Sequence, residues 1–435
     1  MASTRLGTGD VLDLEVEALL PPGDGQSGRF RVRGAFPGEQ VEARVDHVGK
    51  NASFATAITI VEGRAARRPA PCPQHREREG RCTGCPLMTL EESDQRFLLT
   101  QMLASEYGLH VDKVEAAPSS LGYRWSATRV AFGGPGRVRL GSFIRGTHQP
   151  ADMTGCLVDH PRIAEAADEV AAVARELGVI THDERTSRPG LRGVWLRTNR
   201  ESPDDQAMVL VTLVSSNPDP NVLRPLAERL THADGVAFSI HGGPGNNLRG
   251  EGAEPLLGVA ALEVDGVPIG PLGFLQPNAA VAEHMYAWLV DGLEGRVFDL
   301  YAGSGFTTRR LIRQGCEVVP CESHPESAAA LGTPPQPVEA FLGAVDAPPD
   351  AVVANPPRKG LGAFVVEQLR ELRAPRLHIM ACGPRGLAED LRGLEPDYRL
   401  ESLRAFDTLP QTPHLELVAK LVLRKAVRSP RPDEI

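Results

Sequence analysis

Val297-Phe298-Asp299-Leu300-Tyr301-Ala302-Gly303-Ser304-Gly305 decides the fold of the C-terminal part of this 435-residue chain. Its first five residues are apolar but for one acid, the composition of a strand buried on both faces. Two glycines then let the backbone turn closely past a ligand. Thr307 opens a helix whose free N–H groups favour a carboxylate or phosphate. Val318-Val319-Pro320-Cys321 reads as the next strand and ends on Glu322. An acid about twenty residues past such glycines accepts hydrogen bonds from both ribose hydroxyls. A dinucleotide fold would carry a third glycine at position 308, where this chain has Thr308. S-adenosylmethionine has no pyrophosphate to accommodate and fits the pattern better.

Working outward, strands and helices alternate from about residue 270 onward, which implies a doubly wound parallel sheet. Val352-Val353-Ala354-Asn355-Pro356-Pro357-Arg358 ends one strand at the carboxyl edge, where such sheets bind ligands. His378-Ile379-Met380-Ala381-Cys382 ends the following strand, before Gly383-Pro384. A free cysteine is often only a small buried hydrophobe. Its place at a strand end before a Gly-Pro turn favours a role in a site. Glu416 follows 34 residues later, in Pro413-His414-Leu415-Glu416. Gln276, in Phe274-Leu275-Gln276-Pro277-Asn278, precedes a helix; it either reaches the methionine end of the cofactor or caps that helix. A nucleophilic thiol and a carboxylate base at the mouth of a cofactor fold suit covalent catalysis.

Upstream, residues 1–62 read as all-β. Val11-Leu12-Asp13-Leu14-Glu15-Val16 alternates as a strand does, and glycine-rich turns separate it from Phe30-Arg31-Val32-Arg33 and Val41-Glu42-Ala43-Arg44-Val45. Short strands at this spacing imply a small OB-like β-barrel. Residues 63–268 read as a small central α/β domain, with helices over 91–108, roughly 162–177 and near 220–230, and strands within 123–145 and 191–262. Residues 269–426 form the Rossmann-like cofactor domain. The stretch 427–435, with Pro430 and Pro432, reads as a disordered tail. The chain is thus a multidomain α/β protein.

Cys72, Cys82 and Cys85 fall within fourteen residues, and Cys156 lies further on. Four cysteines can close a tetrahedral zinc site or a [4Fe–4S] cluster, and spacing does not choose between them. The plainer alternative is an ordinary buried Cys156 and three incidental thiols. With 41% apolar and 24% charged residues, the chain reads as soluble and globular. No apolar run approaches the ~20 residues needed to span a bilayer. Met1-Ala2-Ser3-Thr4-Arg5 lacks the apolar core of a signal peptide, so a cytoplasmic location is expected. There, metal binding or catalysis is a better use of cysteine than disulfides. The net charge of −9 weighs against a sequence-independent nucleic-acid binder, though a local basic face is compatible with it. Arg64, Arg67, Arg68, Arg76, Arg78 and Arg81 cluster, and on charge alone they read as a solvated linker.

Together these motifs resemble the uridine-5 RNA methyltransferases, and within them the cluster-containing 23S rRNA enzymes, over about residues 8–424. The resemblance implies that the N-terminal barrel, with Phe36-Pro37-Gly38-Glu39, is a TRAM domain. It implies that Cys72, Cys82, Cys85 and Cys156 hold a [4Fe–4S] cluster. Gln276, Tyr301 and Glu322 would contact S-adenosylmethionine, with Gly303, Gly305 and Asn355 in the same pocket. Cys382 falls on the family nucleophile and Glu416 on its proton acceptor. The chain departs from the family pattern at Asn355, Phe306, Gly383 and Gln411, and in the nine residues between Cys72 and Cys82.

The implied chemistry needs both groups. C5 of uracil becomes nucleophilic once a thiolate adds at C6, and a base must later remove the C5 proton. Arg358 or a helix N-terminus is expected to favour the thiolate. Phe274 and Phe406 are candidates for stacking on a splayed base, with plain core packing as the alternative for either. The barrel and the arginines near the cysteines are expected to hold the RNA backbone, and the cluster to be structural. The expected partner is RNA, 23S rRNA before tRNA; the expected state is a monomer without membrane contact. Two other readings stand beside this one. Asn355-Pro356-Pro357 resembles the motif of exocyclic-amine methyltransferases acting on adenine or guanine. A non-catalytic RNA-binding or assembly factor could also keep the fold.

Overall fold

The structure, a computed structural model, describes residues 6–78, 80–199, 206–243, 245 and 248–424. The tail expected over 427–435 lies outside the described residues. The chain forms two compact units that exchange segments. One comprises Met1–Met102, Ala116–Ala282 and Asp407–His414; the other comprises Leu103–Glu115, Glu283–Phe406 and Leu415–Ile435.

The first unit opens with a six-stranded sheet. Its order is Val11–Glu15, Gln40–Val48, Ser53–Glu62, Phe30–Arg33, Gly25–Ser27 and Ala18–Leu19. The first and last of these are successive pieces of one strand interrupted at Val16-Glu17, so the sheet curls back to where it began. Val41, Ala43 and Val45 point inward at period two and pack with Val16, Val32 and Ala55. Of the clustered arginines beyond it, Arg78 and Arg81 are exposed, but Arg64, Arg67 and Arg68 are held by acids rather than solvated. Arg64 grips Asp94 with two nitrogens at 2.7 and 2.5 Å. Arg67 grips the fully buried Glu39 at 2.7 and 3.0 Å. Arg68 reaches Glu91 and Glu92. Their acids lie about 25 residues away in the chain, beyond the reach of a local charge count.

The same unit holds a seven-stranded sheet, ordered Pro150–Asp152, Arg139–Phe143, Ser126–Phe132, Leu191–Thr198, Val209–Ser215, Gly235–Ile240 and Ala253–Gly258. Only Val209–Ser215 and Gly235–Ile240 pair in parallel. Helix Pro161–Glu176 covers it with Ile163, Ala166, Val170 and Ala174. The helix expected near 220–230 is broken into a 3-10 turn, Pro220–Val222, and one α-turn, Arg224–Ala227. Pro225 lacks the N–H that a longer helix would need at its interior.

The second unit is built on another seven-stranded sheet. Its order is Glu317–Cys321, Arg296–Leu300, Ala351–Ala354, Arg376–Ala381, Glu416–Leu423, Tyr398–Phe406 and Val114–Glu115. The first four strands are mutually parallel. The sheet as a whole is mixed rather than uniformly parallel, because Glu416–Leu423 runs against both of its neighbours. Only nine residues separate it from Tyr398–Phe406. A parallel crossover needs a dozen or more, so the chain must turn back. No helix of the described residues is long and apolar enough to cross a membrane.

Candidate active site

The parallel strands end along one edge, and the antiparallel strand starts there. Tyr301 follows Arg296–Leu300, Glu322 follows Glu317–Cys321, Asn355 follows Ala351–Ala354, and Cys382 follows Arg376–Ala381. Glu416 is the first residue of Glu416–Leu423. Five side chains spread over 115 residues of sequence are thereby drawn to a single carboxyl edge.

The turn after the first of these strands is held in left-handed backbone: φ is 58° at Tyr301, 56° at Gly303 and 87° at Gly305. A Cβ at position 305 would stand 2.6 Å from Leu331 Cδ2. Glu322 Oε2 accepts the Gly303 N–H at 2.8 Å, and Oε1 accepts that of His324 at 2.6 Å. Both carboxylate oxygens are therefore fixed by backbone N–H groups. Thr308 has a role of its own: its hydroxyl donates to Asp299 Oδ2 at 2.5 Å and staples helix Phe306–Arg313 to the strand. Burial pushes the Asp299 carboxyl up to about 7. Phe306 is buried and stacks on Tyr286 with ring centroids 5.9 Å apart, so its apolar character serves packing. Thr308→Val deprives the buried Asp299 of its donor. It is expected to cost ~1–3 kcal/mol, or about 2–4 °C of melting temperature per kcal/mol, read by thermal unfolding.

Cys382 and Glu416 come together through register. Ala381 pairs with Leu417, so Cys382 and Glu416 are the next positions off the same ladder, where facing Cα atoms lie about 5 Å apart. Glu416 is only 9% exposed. Burial pushes its carboxyl up to about 8, with Arg358 opposing the rise. The half-buried Cys382 thiol is also raised, first by burial and then by the charge of Glu416. Arg358 opposes that shift through its charge and a hydrogen bond to the sulfur. The expected electropositive seat is thus only partly built: one guanidinium works against burial and a neighbouring acid.

Arg358 is held there by close backbone packing. A Cβ at Gly383 would fall well inside contact distance of the Arg358 carbonyl, and one at Gly386 would stand 2.8 Å from Gly360 N. Asp390 of helix Pro384–Leu394 accepts the N–H groups of Leu361 at 2.8 Å and Gly362 at 3.2 Å. Sequence reasoning missed Asp390; a buried acid on a helix face leaves no local motif. Gly383→Ala is expected to displace Arg358, lower the methylation rate and destabilise the fold by ~1–3 kcal/mol. Initial rates and melting temperature measured on one preparation check both effects.

Of the remaining candidates, all but Phe406 lie in the first unit. Gln276 is buried, but the helix cap is Asn278, whose Oδ1 accepts the Val281 N–H at 3.3 Å. Of the two stacking candidates, Phe274 is 59% exposed and free to stack, whereas Phe406 is core. Cys72, Cys82, Cys85 and Cys156 line one cavity with His75, Arg124 and Met153. Three of the four pack against Ala70, Met88, Tyr123 and Val158. Burial pushes the Cys85 thiol up to about 12 and also raises Cys82 and Cys156. Among the described residues, no three His, Cys, Asp or Glu are grouped closely enough to hold one metal ion.

No family model matches the chain. An uncharacterized RNA methyltransferase of Gloeobacter violaceus is 30% identical to it over 459 residues, spanning 95% of this chain and 96% of the relative. The chain belongs to this family of RNA methyltransferases. A second member, from Geobacter sulfurreducens, is 29% identical over 460 residues, 97% of this chain and 92% of its own. Among solved structures, the tRNA (uracil-54, C5)-methyltransferase of Pyrococcus abyssi, in complex with S-adenosyl-L-homocysteine, matches with a TM-score of 0.73 at 22% identity. That match spans 94% of this chain and 100% of the other. The methyltransferase described here shares that fold.

Proposed function

We propose that this methyltransferase makes 5-methyluridine in RNA, with S-adenosylmethionine as methyl donor, Cys382 as nucleophile and Glu416 as base. The observation that carries the proposal is the register that sets Cys382 beside Glu416, with Arg358 at the sulfur. The thiolate adds to uracil C6, and the C5=C6 electron pair moves into an enolate. C5 then attacks the sulfonium methyl, and the donor leaves as a thioether. Glu416 takes the C5 proton, the C–H pair rebuilds the double bond, and the C6–S pair returns to sulfur. Tyr301, Gly303, Gly305, Glu322 and Asn355 would seat the donor, and Gln276 would reach its methionine end. RNA carrying 5-fluorouridine tests this: fluorine at C5 cannot leave as a cation, so a stable adduct on Cys382 is expected. No adduct in the presence of methyl donor would falsify the proposal.

The reaction needs both groups deprotonated. Because Glu416 sits near 8 and the thiol above its ordinary value, steady-state turnover is expected to rise with pH across neutrality and to go on rising past about 8, until the thiol too is ionised. Initial rates from about pH 6 to about pH 9 read this. A profile flat through neutrality counts against Glu416 as the base.

Four thiols lining one cavity are a donor set that a [4Fe–4S] cluster or a zinc ion could take, and the resemblance to the cluster-containing enzymes favours the cluster. We assign them a [4Fe–4S] cluster, whose contribution when bound is to brace the loops around it, since methyl transfer moves no electrons. Iron and sulfide assays on protein purified without oxygen should find about four of each per chain. The curled N-terminal sheet and this cysteine site favour 23S rRNA, while the Pyrococcus abyssi neighbour is named for tRNA. Mapping 5-methyluridine in both RNAs from a deletion strain separates them.

A further inference from the structure

The segment that leads into Glu416 is tied down more firmly than its length requires. Gln411, 1% exposed, adopts φ 73°, a left-handed backbone that costs a non-glycine residue of order 1 kcal/mol or more. Something must hold it there. Gln95, equally buried on helix Glu92–Tyr107, does so reciprocally. Its Nε2 donates to Gln411 Oε1 at 2.8 Å, and its Oε1 accepts the Gln411 N–H at 3.2 Å. The same Nε2 donates to the Leu90 carbonyl at 2.9 Å, which fixes the amide itself.

Two further bonds come from the cysteine-bearing wall. Leu87 N–H, two residues after Cys85, donates to the Gln411 carbonyl at 3.0 Å. The Tyr123 hydroxyl donates to the Pro410 carbonyl at 3.0 Å. Leu409 packs against the same buried cluster, Ala70, Met88, Tyr123 and Val158, as Cys72, Cys85 and Cys156. Thr412 closes the turn on itself through the Leu409 carbonyl at 2.7 Å. Only Pro413, His414 and Leu415 separate this anchored turn from Glu416.

We propose that Gln95, Gln411 and Tyr123 form a clamp that positions the segment bearing Glu416, and thereby sets the rate of the last step, removal of the C5 proton. The clamp rests on the C5-methylation reading. It acts on one step of that reaction, which makes it separable from the others. Addition of Cys382 and methyl transfer do not use Glu416. A loosened clamp leaves those steps intact and slows the release of methylated RNA from the sulfur.

Gln95→Met keeps the volume and removes both amide bonds to Gln411. Tyr123→Phe removes a single hydroxyl and serves if the first variant folds poorly. On ordinary uridine RNA, single-turnover methyl transfer is expected within about 3-fold of the parent, while steady-state turnover falls about 10- to 100-fold. A denaturation-resistant RNA–protein species should accumulate in the variants and not in the parent. Trapping on 5-fluorouridine RNA should proceed at the parental rate. The clamp is overturned if both variants turn over like the parent with no persistent adduct. It is equally overturned if methyl transfer and turnover fall together. Failure of the parent itself to trap 5-fluorouridine would instead bring down the underlying C5 reading.

Discussion

Cys382→Ala should abolish methyl transfer to uridine, by at least ~10⁴-fold, while leaving the affinity for S-adenosylmethionine within a few-fold of the parent. The other thiol at this sheet edge, Cys321, is fully buried, donates to the Gln336 carbonyl and is pushed up to about 12 by burial, so it is a poor substitute. The nearest ionisable neighbours are Glu416, a hard carboxylate, and Arg358, which bears no lone pair to donate. Loss of the half-buried sulfur opens little space in the core, so melting temperature should move by no more than about 2 kcal/mol equivalent. The variant also separates the readings. An exocyclic-amine methyltransferase working through Asn355-Pro356-Pro357 has no use for the thiol and would keep its rate. A non-catalytic RNA-binding factor would show no rate to lose. Radiolabelled methyl transfer to RNA, with donor binding measured in parallel, reads all three.

Glu416→Gln should lower turnover about 10²- to 10⁴-fold, the usual contribution of a placed general base, and leave methylated RNA bound to Cys382. Its effect on stability should have the opposite sign. Burial raises the folded-state carboxyl from an ordinary 4.5 to about 8. A raised carboxyl favours the folded state fully below 4.5, and that advantage is lost as pH rises toward 8, where the buried group must ionise. Glutamine never ionises. The variant's melting temperature should therefore gain on the parent's between about pH 4.5 and about pH 8 and keep a constant lead beyond. A lead that shrinks with rising pH would mean that Glu416 is stabilised as a carboxylate, and would remove the basis for the pH–rate profile. Loss of activity joined to a gain in stability is the pattern of a group kept for chemistry.

Much of the framework was legible because it is written at short range. Alternation in Val41-Glu42-Ala43-Arg44-Val45 and the apolar run Ala351–Ala354 announce strands by their own composition. Gly303 and Gly305 announce a turn because few other residues take that backbone. Misreadings came where partners are distant. Arg64 and Arg67 looked solvated because Asp94 and Glu39 are remote in sequence. Phe406 was left between stacking and core because its position facing the core depends on the ladder it joins. The two-residue strand Val114–Glu115 carries too little pattern to reveal that it completes a sheet whose other members start at Arg296.

By itself, then, the sequence determined which segments become strands, where the glycine turn falls, and which thiol and acid stand at the ends of strands and are proposed to carry the chemistry. Those properties depend on backbone preferences and side-chain types within a few residues. Only the tertiary structure decided that Glu416–Leu423 inserts antiparallel beside Arg376–Ala381, that Arg358 reaches the sulfur, and that Gln95 and Tyr123 restrain the turn before Glu416. Each of these is a contact between residues tens to hundreds of positions apart, and its geometry exists only once the sheet has chosen its strand order and the loops have packed upon it.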